Sequence, residues 1–171
     1  MKVNLLDFKN IVLDLDNTIW RSSSGTFWAK NLDEKDIWLS GDGWLALDNG
    51  FNGLRLDFEV YNTLKTLFYA GKRISYLSSG AKEGVPHDFQ PAIRCLHEFR
   101  IFQWFNDGGS LLPRESDKSK HIYNSKDTIF IDDKEENLNQ MRARNHDVFC
   151  LNRNAFKEWG LTLDCPGLII T

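Results

Sequence analysis

Three short apolar runs, each closing on polar side chains, constrain this chain more than any other feature. They are Ile11-Val-Leu-Asp-Leu-Asp16, Ile74-Ser-Tyr-Leu-Ser-Ser79 and Thr128-Ile-Phe-Ile-Asp-Asp133. Runs of this length, rich in β-branched and aromatic residues, read as buried strands. Between them the pattern turns helical. Over residues 57–70, Val60, Leu64, Leu67 and Phe68 share one face, and Gly71 follows as a stop. Residues 86–99 read as a helix with Pro91 in an early turn. Residues 116–123 read as another, and residues 135–144 as a third with Leu138 and Met141 inward. Residues 101–105 are a short apolar segment, and residues 148–151 a last strand.

Strands alternating with helices predict an α/β fold, a parallel sheet with helices on both faces. Ligands of such sheets sit at the carboxyl ends of the strands. A parallel sheet therefore brings Asp14 and Asp16, Ser78 and Ser79, and Asp132 and Asp133 to one edge. The chain of 171 residues is long enough for one domain with a real core. We expect a single domain over residues 1–171 with a flap insertion at about 21–55. That stretch is rich in Ser, Gly, Asn and Asp and carries Phe27, Trp28, Trp38 and Trp44, which suits short strands and turns. Packing is the commoner role for such aromatics, ahead of substrate contact.

The global composition excludes several classes. A net charge of −3 supplies no basic field for a polyanion, so a nucleic-acid partner is not expected. Cys95, Cys150 and Cys165 are odd in number and form no CxxC pair. They read as reduced thiols of a cytoplasmic protein, two of them in apolar surroundings. His87, His97, His121 and His146 are scattered without cysteine partners at zinc-ligand spacing, and read as structural or surface residues. The first ten residues are too short and charged for a signal peptide, and no run is long enough to span a bilayer.

Four carboxylates at one sheet edge repel unless a cation neutralises them. The ligands are oxygens only, which favours Mg²⁺ over zinc. Asp14 and Asp16 lie two apart and start on one strand face, and a turn after Asp14 would separate their roles. One can attack phosphorus as a nucleophile while the other protonates the leaving oxygen. Ser78 offers a hydroxyl, and Lys118 or Lys120 a positive charge, to phosphoryl oxygens. Asp-x-Asp-x-Thr alone is a weak signal; at ~5% for each residue type, chance supplies it in about one such chain in fifty. Its place at the end of an apolar strand, followed by strands ending in Ser and in Asp-Asp, sharpens it.

These motifs resemble those of the haloacid-dehalogenase-like (HAD) superfamily, from about Lys9 to Arg153. The segment Asp14-Leu-Asp-Asn-Thr-Ile-Trp20 looks most like the first motif of its magnesium-dependent phosphatase group. The resemblance implies a three-layer Rossmann-like fold with a small flap or minimal cap, and Mg²⁺-dependent phosphatase activity. It implies that Asp14 is the nucleophile and a Mg²⁺ ligand. Asp16 would be the general acid/base and would bind the metal through its backbone carbonyl. Ser78 matches the second-motif hydroxyl, with Ser79 beside it in the substrate site. Lys118, four residues before the apolar Ile122, best matches the third-motif lysine, with Lys120 its rival. In Phe130-Ile-Asp-Asp-Lys-Glu-Glu-Asn137, Asp133 would reach the metal, Asp132 would orient Lys118 or a metal-bound water, and Asn137 fits a supporting helix position.

The chain departs from the group in two places. The second motif reads Ser-Ser-Gly rather than a Ser-Arg-Thr-like sequence, which touches substrate recognition rather than chemistry. About 60 residues separate Asp14 from Ser78, too few for a large cap domain. The open site this implies admits phosphorylated small molecules, sugar phosphates on a larger molecule, or phosphoprotein side chains. The leading expectation is a phosphomonoester hydrolase acting through an aspartyl-phosphate. The alternatives are phosphoryl or glyceryl transfer within the same superfamily, a non-catalytic binding module of the same fold, and a nucleic-acid end phosphatase. Against glyceryl transfer, Arg21-Ser-Ser-Ser24 follows Trp20 where that branch has a Gly-rich continuation.

Overall fold

The computed structural model describes residues 1–24, 28–32, 37–46 and 53–168. At its centre is a five-stranded sheet of β2 (Asn10–Leu13), β7 (Arg73–Ser78), β8 (Gly109–Leu111), β9 (Thr128–Asp132) and β10 (Phe149–Asn152). Its order is β10-β9-β2-β7-β8, and every pairing is parallel. Among the described residues three α-helices accompany it: α1 (Val60–Tyr69), α2 (Pro91–Glu98) and α3 (Glu135–Arg144).

Alternation along the strands sorts side chains into two cores. Ile11, Leu13, Ile74, Tyr76, Ile129, Ile131 and Leu151 join one cluster with Val60, Leu64 and Leu67 of α1 and Ala92, Ile93, Cys95 and Leu96 of α2. Val12, Leu77, Phe130 and Cys150 join a second with Leu138 and Met141 of α3. Both faces of β2 and β9 are thereby covered, which is why these strands read as unbroken apolar runs. Each large side chain so buried contributes about 1.5–3 kcal/mol of hydrophobic free energy.

Residues 20–56 contribute a separate antiparallel sheet, ordered β3-β6-β5-β4, from β3 (Trp20–Ser22), β4 (Trp38–Leu39), β5 (Trp44–Ala46) and β6 (Gly53–Leu56). Its root pairs Trp20 with Leu56. Trp28 and Trp44 are half-buried, and the Arg55 guanidinium lies 5.7 Å from the Trp44 ring. Trp38 is 46% exposed. Phe27 lies outside the described residues. A third pairing joins β1 (Lys2–Asn4) to β11 (Thr162–Asp164), so that the N-terminal segment meets the last described strand.

Two predicted helices are shorter than their sequences suggested. Residues 86–99 form a 3₁₀ turn at His87–Phe89, and the α-helix begins at Pro91. Proline disfavours a helical residue before it, so Gln90 is extended (φ −62°, ψ 139°), and Pro91 takes the first helical position, where its missing N–H is harmless. The Gln90 side chain instead closes the preceding loop, bonding the Lys82 N–H and the Lys82 and Val85 carbonyls. Residues 116–123 form only a 3₁₀ turn, Lys118–His121, capped by Asp117, which accepts from the Ser119 N–H. The apolar segment 101–105 is likewise a 3₁₀ turn, Phe102–Trp104.

Strands β1, β8 and β11 carry too little periodicity to be predicted. In β8 the backbone runs so close to β7 that a Cβ on Gly109 would collide with the Tyr76 ring and carbonyl. All three cysteines are free and buried, Cys95 and Cys165 in the first core and Cys150 in the second, one more than expected. Among the described residues no helix is long and apolar enough to cross a membrane.

Candidate active site

Asp14 follows the last residue of β2, and its N–H still bonds the Ile131 carbonyl of β9 (3.0 Å). The chain then leaves the sheet. Thr18 and Ile19 both donate to the Leu15 carbonyl, and Asn17 takes a left-handed conformation (φ 59°), which asparagine tolerates better than most residues. This turn separates two carboxylates that a straight strand would leave on one face. Asp16 accepts from the Trp20 indole N–H (2.8 Å) and the Ala29 backbone N–H (3.1 Å). It is therefore held by the segment that opens the antiparallel sheet.

Asp132 ends β9, and Asp133 follows it. The Asp132 carboxylate accepts from the Lys134 N–H (2.8 Å) and from the Asn137 amide, whose Nδ2 lies 3.1 and 3.0 Å from its two oxygens. The 3₁₀ turn Lys118–His121 aims Lys118 inward. Its ammonium, on a side chain 2% exposed, donates to Asp14 Oδ1 at 2.7 Å and to Asp132 Oδ2 at 2.5 Å. The Thr18 hydroxyl donates to the other Asp14 oxygen (3.0 Å). Lys120, on the same turn, is exposed.

Ser78 is buried at the end of β7, and Ser79 beside it is half-buried. A Cβ on Gly80 would stand 3.0 Å from Asp16 Oδ2 and 3.5 Å from Ser78 Oγ. Gly80 thus lies between the second strand end and Asp16, and the missing side chain leaves room for that approach. This is a structural reason for glycine in the departing Ser-Ser-Gly motif.

Asp14, Asp132 and Asp133 present carboxylate oxygens that all lie within 4.8 Å of one another, a set able to hold a metal ion. Burial raises the Asp14 carboxyl above its ordinary value, with Lys118 opposing and Asp133 and Asp16 reinforcing the shift. Burial likewise raises Asp132, helped by the charge of Asp14, and Asp133, helped by the charge of Asp132. Asp16 is raised by burial, against its hydrogen bonds from Trp20 and Ala29. Burial alone would lower Lys118, but Asp14 and Asp132 outweigh it and raise the ammonium. One buried cation thus faces several crowded carboxyls, the electrostatic condition that a bound dication relieves.

Three contributors leave weaker marks in the sequence: the Thr18 hydroxyl, the Trp20 indole and the Ala29 N–H. Thr18 and Trp20 stood within the first motif, each four residues beyond the acid it bonds, so their spacing was the available signal. Ala29 acts through its backbone N–H, which leaves no local pattern.

No protein-family model matches the chain, and no curated protein does. Among solved structures it is similar to the N-terminal part of the protein BF1531 from Bacteroides fragilis, containing a phosphatase domain, complexed with Mg. The two share 20% identity with a TM-score of 0.52, over 85% of this chain and 36% of the other. The chain thus spans about a third of the length of that structure, and the likeness is one of fold.

Proposed function

We propose that this chain is a Mg²⁺-dependent phosphomonoester hydrolase of the HAD type, acting through an aspartyl-phosphate on Asp14. The observation that carries this reading is the buried Lys118 ammonium bridging Asp14 and Asp132 at the carboxyl edge of a parallel sheet. A structural salt bridge needs one carboxylate; two, with Asp133 beside them, make a charged cradle. The fold likeness to a phosphatase domain solved with Mg supports the same reading. So do the two cores, which fit the three-layer arrangement of that superfamily. In this reading residues 1–171 are one domain, and the antiparallel sheet of residues 20–56 is its flap and minimal cap.

The residues present fit Mg²⁺. The donor set is all oxygen, and the carboxyls are raised above their ordinary values chiefly by burial and further by one another's charge. Asp14 and Asp133 would hold the ion directly, with the Asp16 carbonyl, while Asp132 is occupied with Lys118, Asn137 and the Lys134 N–H. When bound, the ion supplies charge neutralisation for the phosphoryl oxygens.

A carboxylate oxygen of Asp14 attacks phosphorus, and the bond from phosphorus to the ester oxygen breaks. Asp16, whose carboxyl burial raises above its ordinary value, gives its proton to the departing alkoxide. Lys118 and the Ser78 hydroxyl hold the phosphoryl oxygens in place, with Ser79 at the rim. Asp16, now ionised, takes a proton from water as that water attacks the aspartyl-phosphate. Inorganic phosphate leaves and Asp14 is regenerated. The segment between Asp14 and Ser78 is too short for a large cap domain, which suits a phosphate carried on a bulky molecule such as a phosphoprotein or a substituted sugar.

The test is a panel of sugar phosphates, nucleotides, phosphopeptides and an aryl phosphate, assayed with Mg²⁺. Asp14→Asn is expected to abolish release of phosphate while leaving the circular dichroism spectrum and melting transition in place. Undiminished turnover in that variant would overturn the mechanism.

A further inference from the structure

Beyond the edge of the parallel sheet, a heavily bonded side chain among the described residues is Arg153, in the 3₁₀ turn Arg153–Ala155 that follows β10. It is 3% exposed. Its Nε donates to the Thr18 carbonyl (3.1 Å), and one terminal nitrogen donates to the Phe156 carbonyl (2.7 Å). The other donates to Asp57 Oδ2 (2.8 Å) and to the Lys157 carbonyl (3.4 Å). The guanidinium also lies 4.4 Å from the Phe156 ring centroid and 5.5 Å from that of Trp159. Ordering so many partners around one buried cation ties distant segments together with the fixed fork of an arginine.

The partners define what is tied. Thr18 is the residue whose hydroxyl holds Asp14 Oδ2. Asp57 sits at the root of the antiparallel sheet, directly after β6. Its other oxygen accepts from Arg21 of β3 (3.2 Å), and its N–H bonds the Ile19 carbonyl (2.9 Å). Asp57 therefore ties the first strand of that sheet, β3, to the end of its neighbour β6, and Arg153 joins Asp57 to the turn that follows Asp14.

We infer that Arg153 is a positioning residue: through the Thr18 carbonyl it fixes the turn that orients Asp14, and through Asp57 it couples that turn to the root of the antiparallel sheet. The catalytic consequence rests on the hydrolase reading above. The mechanical one, an Asp14 turn held by Arg153 of the turn after β10, does not. Freed of Arg153, the turn 15–18 keeps its local hydrogen bonds and the bond from Ala29 to Asp16 but loses the anchor on the Thr18 carbonyl, and Thr18 drifts relative to Asp14. Displacements of a fraction of an ångström at a reacting group lower turnover without abolishing binding.

The experiment compares Arg153→Met, Arg153→Lys, Thr18→Val and the Arg153→Met/Thr18→Val double variant. Each is assayed on an aryl phosphate with Mg²⁺, well below its own melting temperature. Arg153→Met is expected to lower kcat about tenfold or more with KM changed little. Arg153→Lys keeps a charge for Asp57 but lacks the fork, so it recovers melting temperature and not kcat. The double variant is expected to be no slower than the slower single one, because both act through the same contact. Wild-type kcat in folded Arg153→Met, or independent losses that multiply in the double variant, would overturn the proposal. A crystal structure of Arg153→Met reads the mechanical claim without any assay. A displaced Asp14 carboxylate with its Thr18 contact broken supports it, and an unmoved one overturns it. If the wild-type protein hydrolyses no ester while Asp14 is displaced in that variant, the hydrolase reading fails and the positioning role stands.

Discussion

Lys118 illustrates how a single residue acquires its role from its surroundings. It and Lys120 share one short turn, yet one ammonium is buried between two carboxylates and the other is exposed. Lys118→Met is therefore expected to lower phosphatase turnover by about 10²-fold or more, the scale set by removing one preorganised charged donor. Lys120→Met should leave it within about twofold, since surface charges contribute little. Paired kinetic measurements on an aryl phosphate check both, and equal losses would contradict the assignment. Lys118→Met also leaves Asp14 and Asp132 facing each other without their shared cation, so it is expected to lower the melting temperature, an effect added Mg²⁺ should partly reverse. At the same scale, the glycine in Ser78-Ser79-Gly80 departs from the motif the chain otherwise resembles, and its closeness to Asp16 is the reason a side chain is unwelcome there.

Among the elements, the parallel strands are legible because both their faces are buried, whereas the short ones are not. β8 has three residues, Gly109–Leu111, and its first is a glycine. Its identity as a strand comes from pairing with β7, where Gly109 sits opposite Tyr76. Gly109→Ala forces a Cβ against the Tyr76 ring and carbonyl, and part of that contact is backbone that cannot rotate away. The substitution should destabilise the fold by about 1–3 kcal/mol, the usual range for overpacking, read as a lower midpoint in urea unfolding. An unchanged midpoint would mean that β8 can move off β7 at no cost. The helices erred in the opposite direction. Apolar content over residues 86–99 suggested a longer helix than the backbone makes, because Pro91 and the loop-closing Gln90 side chain set its start.

At the scale of the whole molecule, the site is an electrostatic burden on the fold. Asp14, Asp16, Asp132 and Asp133 are all raised above the ordinary carboxyl value of 3.8, chiefly by burial. Below that value they are protonated in both folded and unfolded chains. As pH rises through it, the unfolded chain ionises first, so the metal-free protein loses stability until pH passes the raised folded values. A dication favours the ionised carboxylates and acts against this loss. Mg²⁺ should therefore raise the melting temperature, and by more at pH about 7.5 than at pH about 5. Scanning calorimetry at the two pH values checks this; no shift at either, or a larger one at the lower pH, would contradict it. Taken alone, the sequence determined the parallel α/β architecture and the meeting of three strand ends, because periodicity and the parallel rule act locally and are written in each run. It also marked Asp14, Asp16, Ser78, Asp132 and Asp133 as neighbours. Only the tertiary structure buried Lys118 between Asp14 and Asp132 while leaving Lys120 exposed, and brought Arg153 and Asp57 against the Asp14 turn. The contacts of Lys118 with Asp14 and of Arg153 with Thr18 and Asp57 join residues far apart in the chain, and a contact of that kind leaves no periodicity behind it.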